Sequence, residues 1–334
     1  MDLRTKLRVG LSMARVRVLG GRIPVAVRIN LNNRCHSRCE YCSFWHTPSE
    51  EMSTDELRRI IADLARLGTQ RLTLSGGEPM LRKDLGAIIG AAADAGLSVD
   101  LNSTGFLFDR RRDDLRRLDL VKFSIDGGPA VHDRIRGRPG SFRELEEAIA
   151  VSRELGLRFS FAFTMTRAAL PEIPFVLEFA RRHQTFVAFQ PVMAHNHASA
   201  DVRRTFPERD EYLRAVDLLI EEKRRDGGAV RNSLGALEHI KPWPHISGLK
   251  CWGGDVFLMV EPNGDVVPCD RIDYAEPVPN CRVHGIEWAL ARLPEKVCEG
   301  CGFCGAVEIN MLMGLDPGAL SSVAKVVGGI KGAR

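Results

Sequence analysis

Nine cysteines stand in the 334-residue chain, and they fall into two groups: Cys35, Cys39 and Cys42 within eight residues, and Cys251, Cys269, Cys281, Cys298, Cys301 and Cys304 after residue 250. Arg4, Lys6, Arg8, Arg15 and Arg17 interrupt every apolar stretch near the N-terminus, so no secretory segment is expected there. A reducing, cytoplasmic setting is the expectation, and clustered thiols in that setting read as metal ligands rather than as a disulfide framework. Three thiolates so close together can wrap one corner of an iron–sulfur cubane and leave one iron without a protein ligand. The competing chemistry is a zinc site completed by His36 or His46. Zinc sites are usually assembled from Cys-x2-Cys pairs, not from Cys-x3-Cys-x2-Cys directly after a strand.

A second cluster of informative residues follows. Leu72-Thr-Leu-Ser75 leads into Gly76-Gly77-Glu78-Pro79. A Gly-Gly pair alone marks a turn, but glycine also lets a backbone approach a ligand closely. Asn102 and Thr104 end a later strand, and Ser124-Ile-Asp126-Gly127 ends another. Plain strand-end capping is the alternative for these. His132-Asp-Arg-Ile-Arg136-Gly137 comes next, with Arg136 read either as a ligand contact or as a surface ion pair.

These residues together resemble the radical S-adenosylmethionine (SAM) superfamily. Its signature is three cysteines in this spacing with an aromatic residue before the last, here Tyr41, and its Gly-Gly-Glu-Pro element matches residues 76–79. The resemblance covers about residues 21–195. It implies that Cys35, Cys39 and Cys42 hold a [4Fe–4S] cluster whose open iron is chelated by SAM. It implies reductive cleavage of SAM to a 5′-deoxyadenosyl radical that takes a hydrogen atom from substrate. It also implies SAM contacts by Tyr41, Gly76, Gly77, Glu78, Pro79, Asn102, Ser124, Asp126 and Arg136, with a flavodoxin or ferredoxin as reductant. The cofactor supplies the difficult chemistry, and the protein binds, orients and excludes water.

The elements that must position these residues are legible as a strand–helix rhythm. Strands are expected at 25–31, 71–75, 97–102, 121–125, 159–165 and 187–192. Helices are expected from Ser53 as N-cap with Glu56 three residues on, and over 84–95, 142–155, 171–182 and 207–226. Six βα units imply a parallel sheet, as an open doubly wound sheet or an incomplete barrel. The motifs fall just after strands, where barrel active sites lie. The fold class expected is α/β: a partial (β/α)6 barrel with a small C-terminal cysteine-rich α+β domain. The expected division is an amphipathic arm over 1–20, a core over 21–200, a helical connector over 201–250, a cysteine-rich unit over 251–310 and a tail over 311–334.

In the C-terminal group, Gly264 follows Cys251 and precedes Cys269 by five positions, inside the hairpin signal Glu261-Pro-Asn-Gly264. Such a hairpin brings Cys251 and Cys269 to adjacent strand ends. The spacing resembles the auxiliary-cluster domains called SPASM and twitch, although Cys298-x2-Cys301-x2-Cys304 is shorter than the full SPASM array. One auxiliary [4Fe–4S] cluster on Cys251, Cys269 and two of Cys298, Cys301 and Cys304 is the main reading. Two clusters with open irons, or a structural zinc knuckle, stay open. Cys281 is read as ligand, bystander or hydrogen-atom donor, and His195 as an acid or base at the barrel rim.

A net charge of +4 does not call for nucleic acid, and no run of 18 uncharged apolar residues spans a membrane. Leu3, Leu7, Leu11, Ala14 and Val18 recur at helical spacing among basic residues, which suggests weak contact of residues 1–20 with a membrane surface or packing on the barrel. The main functional expectation is oxidation or epimerisation of a small-molecule natural product or sugar. The alternatives are maturation of a ribosomal peptide, modification of a lipid, or a non-enzymatic iron–sulfur or zinc protein serving electron transfer or regulation.

Overall fold

The computed structural model describes residues 3–194, 198–225, 228–269, 274, 277–294, 298 and 300–317, with side chains from Arg8 onward. Eight strands form one sheet: β1 Ala26–Asn30, β2 Arg71–Ser75, β3 Ser98–Ser103, β4 Leu120–Ser124, β5 Phe159–Met165, β6 Val187–Pro191, β7 Phe257–Val260 and β8 Val266–Val267. Their order is β6-β5-β4-β3-β2-β1-β7-β8. The first six pair in parallel, each with its neighbour in sequence. The helices in chain order are α1 Leu3–Leu19, α2 Thr54–Arg66, α3 Leu85–Asp94, α4 Arg112–Leu115, α5 Pro129–Arg136, α6 Ser141–Glu154, α7 Ile173–Arg182, α8 Arg209–Arg225, α9 Leu234–Ile240, α10 Cys281–His284, α11 Ile286–Ala291 and α12 Cys304–Gly314. This is the expected α/β partial barrel.

Side-chain alternation along each strand sorts its residues between two faces. Val27 and Ile29, Leu72 and Leu74, Val99 and Leu101, Val121 and Phe123, Phe161 and Phe163 are buried in the main apolar core that the helices complete. The alternate positions, among them Arg28, Thr73, Asp100, Lys122 and Ser160, point to the concave side. An apolar exterior and a polar interior mark a barrel that leaves room for a ligand.

The start of α2 follows its sequence signal. Ser53 Oγ accepts from the Glu56 amide at 3.2 Å, and the Glu56 carboxylate accepts from the Ser53 amide at 2.7 Å. Of the stripe expected from the sequence, Leu57, Ile60, Leu64 and Leu67, the first three are buried and Leu67 is half-buried.

Two features depart from the sequence reading. The C-terminal hairpin joins the main sheet, with β7 parallel to β1 in the register Ala26↔Phe257 to Ile29↔Val260. All four residues of β7 are buried, the pattern of a strand covered on both faces. Phe257–Val260 and Val266–Val267 therefore share a sheet with the core. The second departure is the face of α1. Val9, Met13 and Val16 pack with Val25, Val256 and Met313, while Leu11 is 71% and Val18 77% exposed. The apolar spacing identified a helix but chose the wrong face, because Val25 and Val256 lie under Val9, Met13 and Val16. Among the described residues, no helix is long and apolar enough to cross a membrane.

Candidate active site

Cys35, Cys39 and Cys42 lie on the loop after β1, and the loop after β2 holds them in place. The Gly77 amide donates to the Asn32 carbonyl and the Glu78 amide to the Arg34 carbonyl, both at 2.8 Å. A Cβ on Gly76 would stand 2.3 Å from the Asn32 oxygen, and one on Gly77 2.3 Å from the Arg34 oxygen. Gly76 also has φ +128°. The close approach that calls for the two glycines is thus made to the cysteine loop itself. Pro79 continues into a short 3-10 turn over Pro79–Leu81.

The three thiols share one loop and act on one another electrostatically. Burial pushes Cys35 up to about 11 and Cys42 up to about 12, and raises Cys39 as well. Each of Cys35 and Cys42 is raised further by the charge of Cys39. Three thiolates on one loop repel one another unless a cation neutralises them, and a bound metal cluster would do so. The loop and its neighbouring strand ends also collect polar atoms with no hydrogen-bond partner: Asn30 Oδ1, Asn32 Oδ1, His36 Nδ1, Ser37 Oγ and Asn102 Oδ1. Buried polar groups are almost always satisfied, so this set fits a polar ligand seated beside the cysteines.

Glu78 is fully buried and turned to the end of β3. Its carboxylate accepts from Ser103 Oγ at 2.9 Å, the Thr104 amide at 2.8 Å, Thr104 Oγ1 at 2.7 Å and the Met80 amide at 3.2 Å. Burial raises its pKa, and these four donors oppose the rise. In this arrangement Glu78 positions the ends of β2 and β3. Asn102 donates to Ser75 Oγ at 3.2 Å, and Ser124 is the last residue of β4. His36 stacks on Phe106 with centroids 3.9 Å apart.

Arg136 is buried and is not a surface ion pair. Its Nε lies 2.6 Å from Asp126 Oδ2, its Nη1 donates to Cys39 Sγ at 3.7 Å, and its carbonyl accepts from the Arg38 amide at 2.8 Å. Asp126 has no exposed surface. Burial raises the Asp126 carboxyl, against the guanidinium beside it. Tyr41 is half-buried next to Arg136, Asp126 and Cys39, and desolvation raises its phenol well above the ordinary value. Helix α5 thereby plugs into the back of the cysteine loop.

His132 completes this buried network by accepting the Asp126 amide on Nδ1 at 3.2 Å. Desolvation lowers its pKa to about 3, so the ring is neutral. An unfolded histidine takes its proton near 6.5. The stability that this difference gives is complete above pH 6.5 and is lost as pH falls towards 3, by about 1.4 kcal/mol per pH unit. We expect the melting temperature to drop between pH 7 and pH 5, and the drop to shrink in His132→Asn, whose amide oxygen can accept the same bond. An equal drop in both proteins would refute the assignment.

The hairpin expected near Cys251 and Cys269 is present. The Gly264 amide donates to the Glu261 carbonyl at 2.9 Å, and Gly264 has φ +91°. A Cβ on Gly253 would lie 3.3 Å from Cys251 Sγ and 3.0 Å from the Pro268 carbonyl, so the hairpin sets the residues beside the two cysteines together. The Gly253 amide donates to Cys251 Sγ at 3.3 Å, Cys298 Sγ to the Gly300 carbonyl at 3.2 Å and Cys304 Sγ to Gln190 Oε1 at 3.7 Å. His239 shares a hydrogen bond with the Cys301 carbonyl at 3.0 Å. Cys281 lies elsewhere. It is 2% exposed, begins α10 with its amide on the Gly264 carbonyl, and has Glu56, Asp265 and Arg282 as charged neighbours. Burial pushes its thiol up to about 12. His195 lies outside the described residues.

Sequence reasoning passed over Lys122 and Ser160, both on the concave face. The signal was there in Leu120-Val-Lys-Phe-Ser124: Val121 and Phe123 face the helices, so Lys122 must face inward.

A partial parallel barrel with a Cys-x3-Cys-x2-Cys loop at the C-terminal end of its first strand fits a radical SAM domain. Residues 29–172 match the family model of the radical SAM superfamily; such a domain implies SAM and a [4Fe–4S] cluster, and the C-terminal cysteine-rich region fits an auxiliary cluster. The chain is 29% identical over 266 residues to the PqqA peptide cyclase of Bradyrhizobium diazoefficiens, covering 74% of this chain and 67% of that one. It is 28% identical over 203 residues to the Fe-coproporphyrin III synthase of Methanosarcina barkeri, covering 59% of this chain and 51% of that one. Among solved structures it is similar to Streptococcus suis SuiB bound to the precursor peptide SuiA, with a TM-score of 0.65, 11% identity, and 83% of this chain and 67% of that one covered.

Proposed function

We propose that this radical SAM enzyme modifies a peptide, taking a hydrogen atom from one of its residues. The observation that carries the reading is the similarity to a PqqA peptide cyclase over 74% of the chain. The small-molecule reading favoured by the sequence alone has the shorter similarity to a porphyrin-forming enzyme in its support, over 59% of the chain. When bound, the cluster at Cys35, Cys39 and Cys42 supplies the electron that cleaves SAM. The residues around it have three tasks. Gly76 and Gly77 fix the cysteine loop, Glu78 aligns the ends of β2 and β3, and Arg136 braces Cys39. The C-terminal cysteines, with Cys251, Cys269 and two of Cys298, Cys301 and Cys304 as ligands, hold an auxiliary cluster, and a flavodoxin or ferredoxin supplies the electron.

The test uses the anaerobically reconstituted chain with SAM, dithionite and synthetic peptides encoded beside its gene. Peptide-dependent 5′-deoxyadenosine formation with a product of altered mass is expected for bond formation or oxidation. Deuterium uptake from heavy water without other mass change identifies epimerisation. SAM cleavage indifferent to every peptide, but coupled to a small metabolite, would overturn the peptide reading and leave the class intact.

A further inference from the structure

Lys122 stands midway along β4 on the concave face of the barrel. Its register partners are Asn102 on β3 and Ser160 on β5. Each of the two neighbours leaves a buried polar atom without a hydrogen-bond partner, Asn102 Oδ1 and Ser160 Oγ. The Lys122 ammonium has no hydrogen bond or ion pair with a described residue. The half-buried ammonium and the fully buried, unpartnered Ser160 hydroxyl, side by side on neighbouring strands, make a built polar site, because buried polar groups are almost always satisfied.

The surrounding charge fixes the kind of ligand. Arg28, Arg71, Asp100 and Cys304 act on Lys122, and Arg231 stands within reach of Arg71, Cys304 and Glu308. Arg71 is paired with Asp100, and the Glu308 carboxylate accepts the Ser233 amide at 2.7 Å. The interior is therefore positive, and desolvation is the first cause that lowers the Lys122 pKa. Ser160 adds a hydroxyl donor beside the ammonium.

We infer that Lys122, with Ser160, is a substrate-recognition site for an anionic group, a carboxylate or a phosphate, that the substrate carries into the barrel. The inference rests on the radical SAM reading of the barrel but not on whether the substrate is a peptide. The competing role for Lys122 is a counter-charge to thiolates around Cys304.

The experiment titrates the anaerobically reconstituted, SAM-loaded enzyme calorimetrically with glutarate and, separately, with inorganic phosphate. Wild type is expected to bind one of them saturably, and the better probe tells carboxylate from phosphate. Lys122→Met should weaken that binding at least about tenfold, and Lys122→Arg should retain much of it. Because Lys122 is half-buried and holds no ion pair with a described residue, Lys122→Met should leave the melting temperature unchanged or slightly raised. A counter-charge role predicts the reverse: unchanged anion binding, a lower melting temperature and lost iron. That result, or the failure of wild type to bind either anion, would overturn the inference. Failure of wild type to cleave SAM would instead strike the class assignment, and the anion titration reads independently of it.

Discussion

Cys39→Ala is expected to abolish 5′-deoxyadenosine formation with dithionite and SAM, and Cys35→Ala and Cys42→Ala should do the same. On the proposed reading each thiolate would hold the cluster that SAM reaches, and burial raises all three thiols, a cost that a bound cation would offset. Iron should fall from about eight to about four per chain when all three cysteines are replaced, as one of two cubanes is lost. The four that remain would belong to the C-terminal cysteines. SAM cleavage by any single variant at the wild-type rate would refute the site. A triple variant without iron but with stoichiometric zinc would make the C-terminal region a structural zinc site.

The second large effect concerns the brace behind that loop. Arg136→Met leaves the fully buried Asp126 without its cation. Breaking a buried ion pair on one side typically costs about 3–5 kcal/mol. Asp126→Asn, with Arg136 still charged, should be destabilising as well. The double variant should recover much of the loss, since it removes both charges together. Urea denaturation of the four proteins gives the coupling directly. Additive losses would show that the pair is not what holds α5 against the cysteine loop. Because Arg136 also donates to Cys39 Sγ, we further expect Arg136→Met to shift the reduction potential of the bound cluster, a change that loss of fold stability alone does not produce.

The barrel was legible because its strands announce themselves twice, by β-branched and aromatic content and by spacing between helices. The boundaries of β2 and β5 agree with the sequence reading to the residue. The capping box of α2 was legible for a local reason, since both of its hydrogen bonds lie within four residues. Long-range facts were not legible. Nothing in Phe257-Leu-Met-Val260 says which strand it joins, and pairing with β1 depends on a chain more than 200 residues away. The face of α1 was misread for the same reason. Leu11 and Val18 are as apolar as Val9 and Val16, and only Val25, Val256 and Met313 decide between them. At the site, residue types identified the cysteines and the Gly-Gly-Glu-Pro element. The direction of the Glu78 carboxylate and the burial of Arg136 needed three dimensions, because both follow from what the neighbouring loop presents.

The pairing of β7 with β1 has a consequence for biosynthesis. Until the ribosome has passed residue 260, β1 is the uncovered margin of the growing sheet, with one row of amide and carbonyl groups open to any passing strand. That margin is where the Cys35–Cys42 loop is anchored. A nascent chain can therefore close its first six strands and still expose the base of its cysteine loop, which makes this interval the point of greatest risk for misassembly. Once β7 is in place, the strand that anchors the cysteine loop is hydrogen-bonded on both sides.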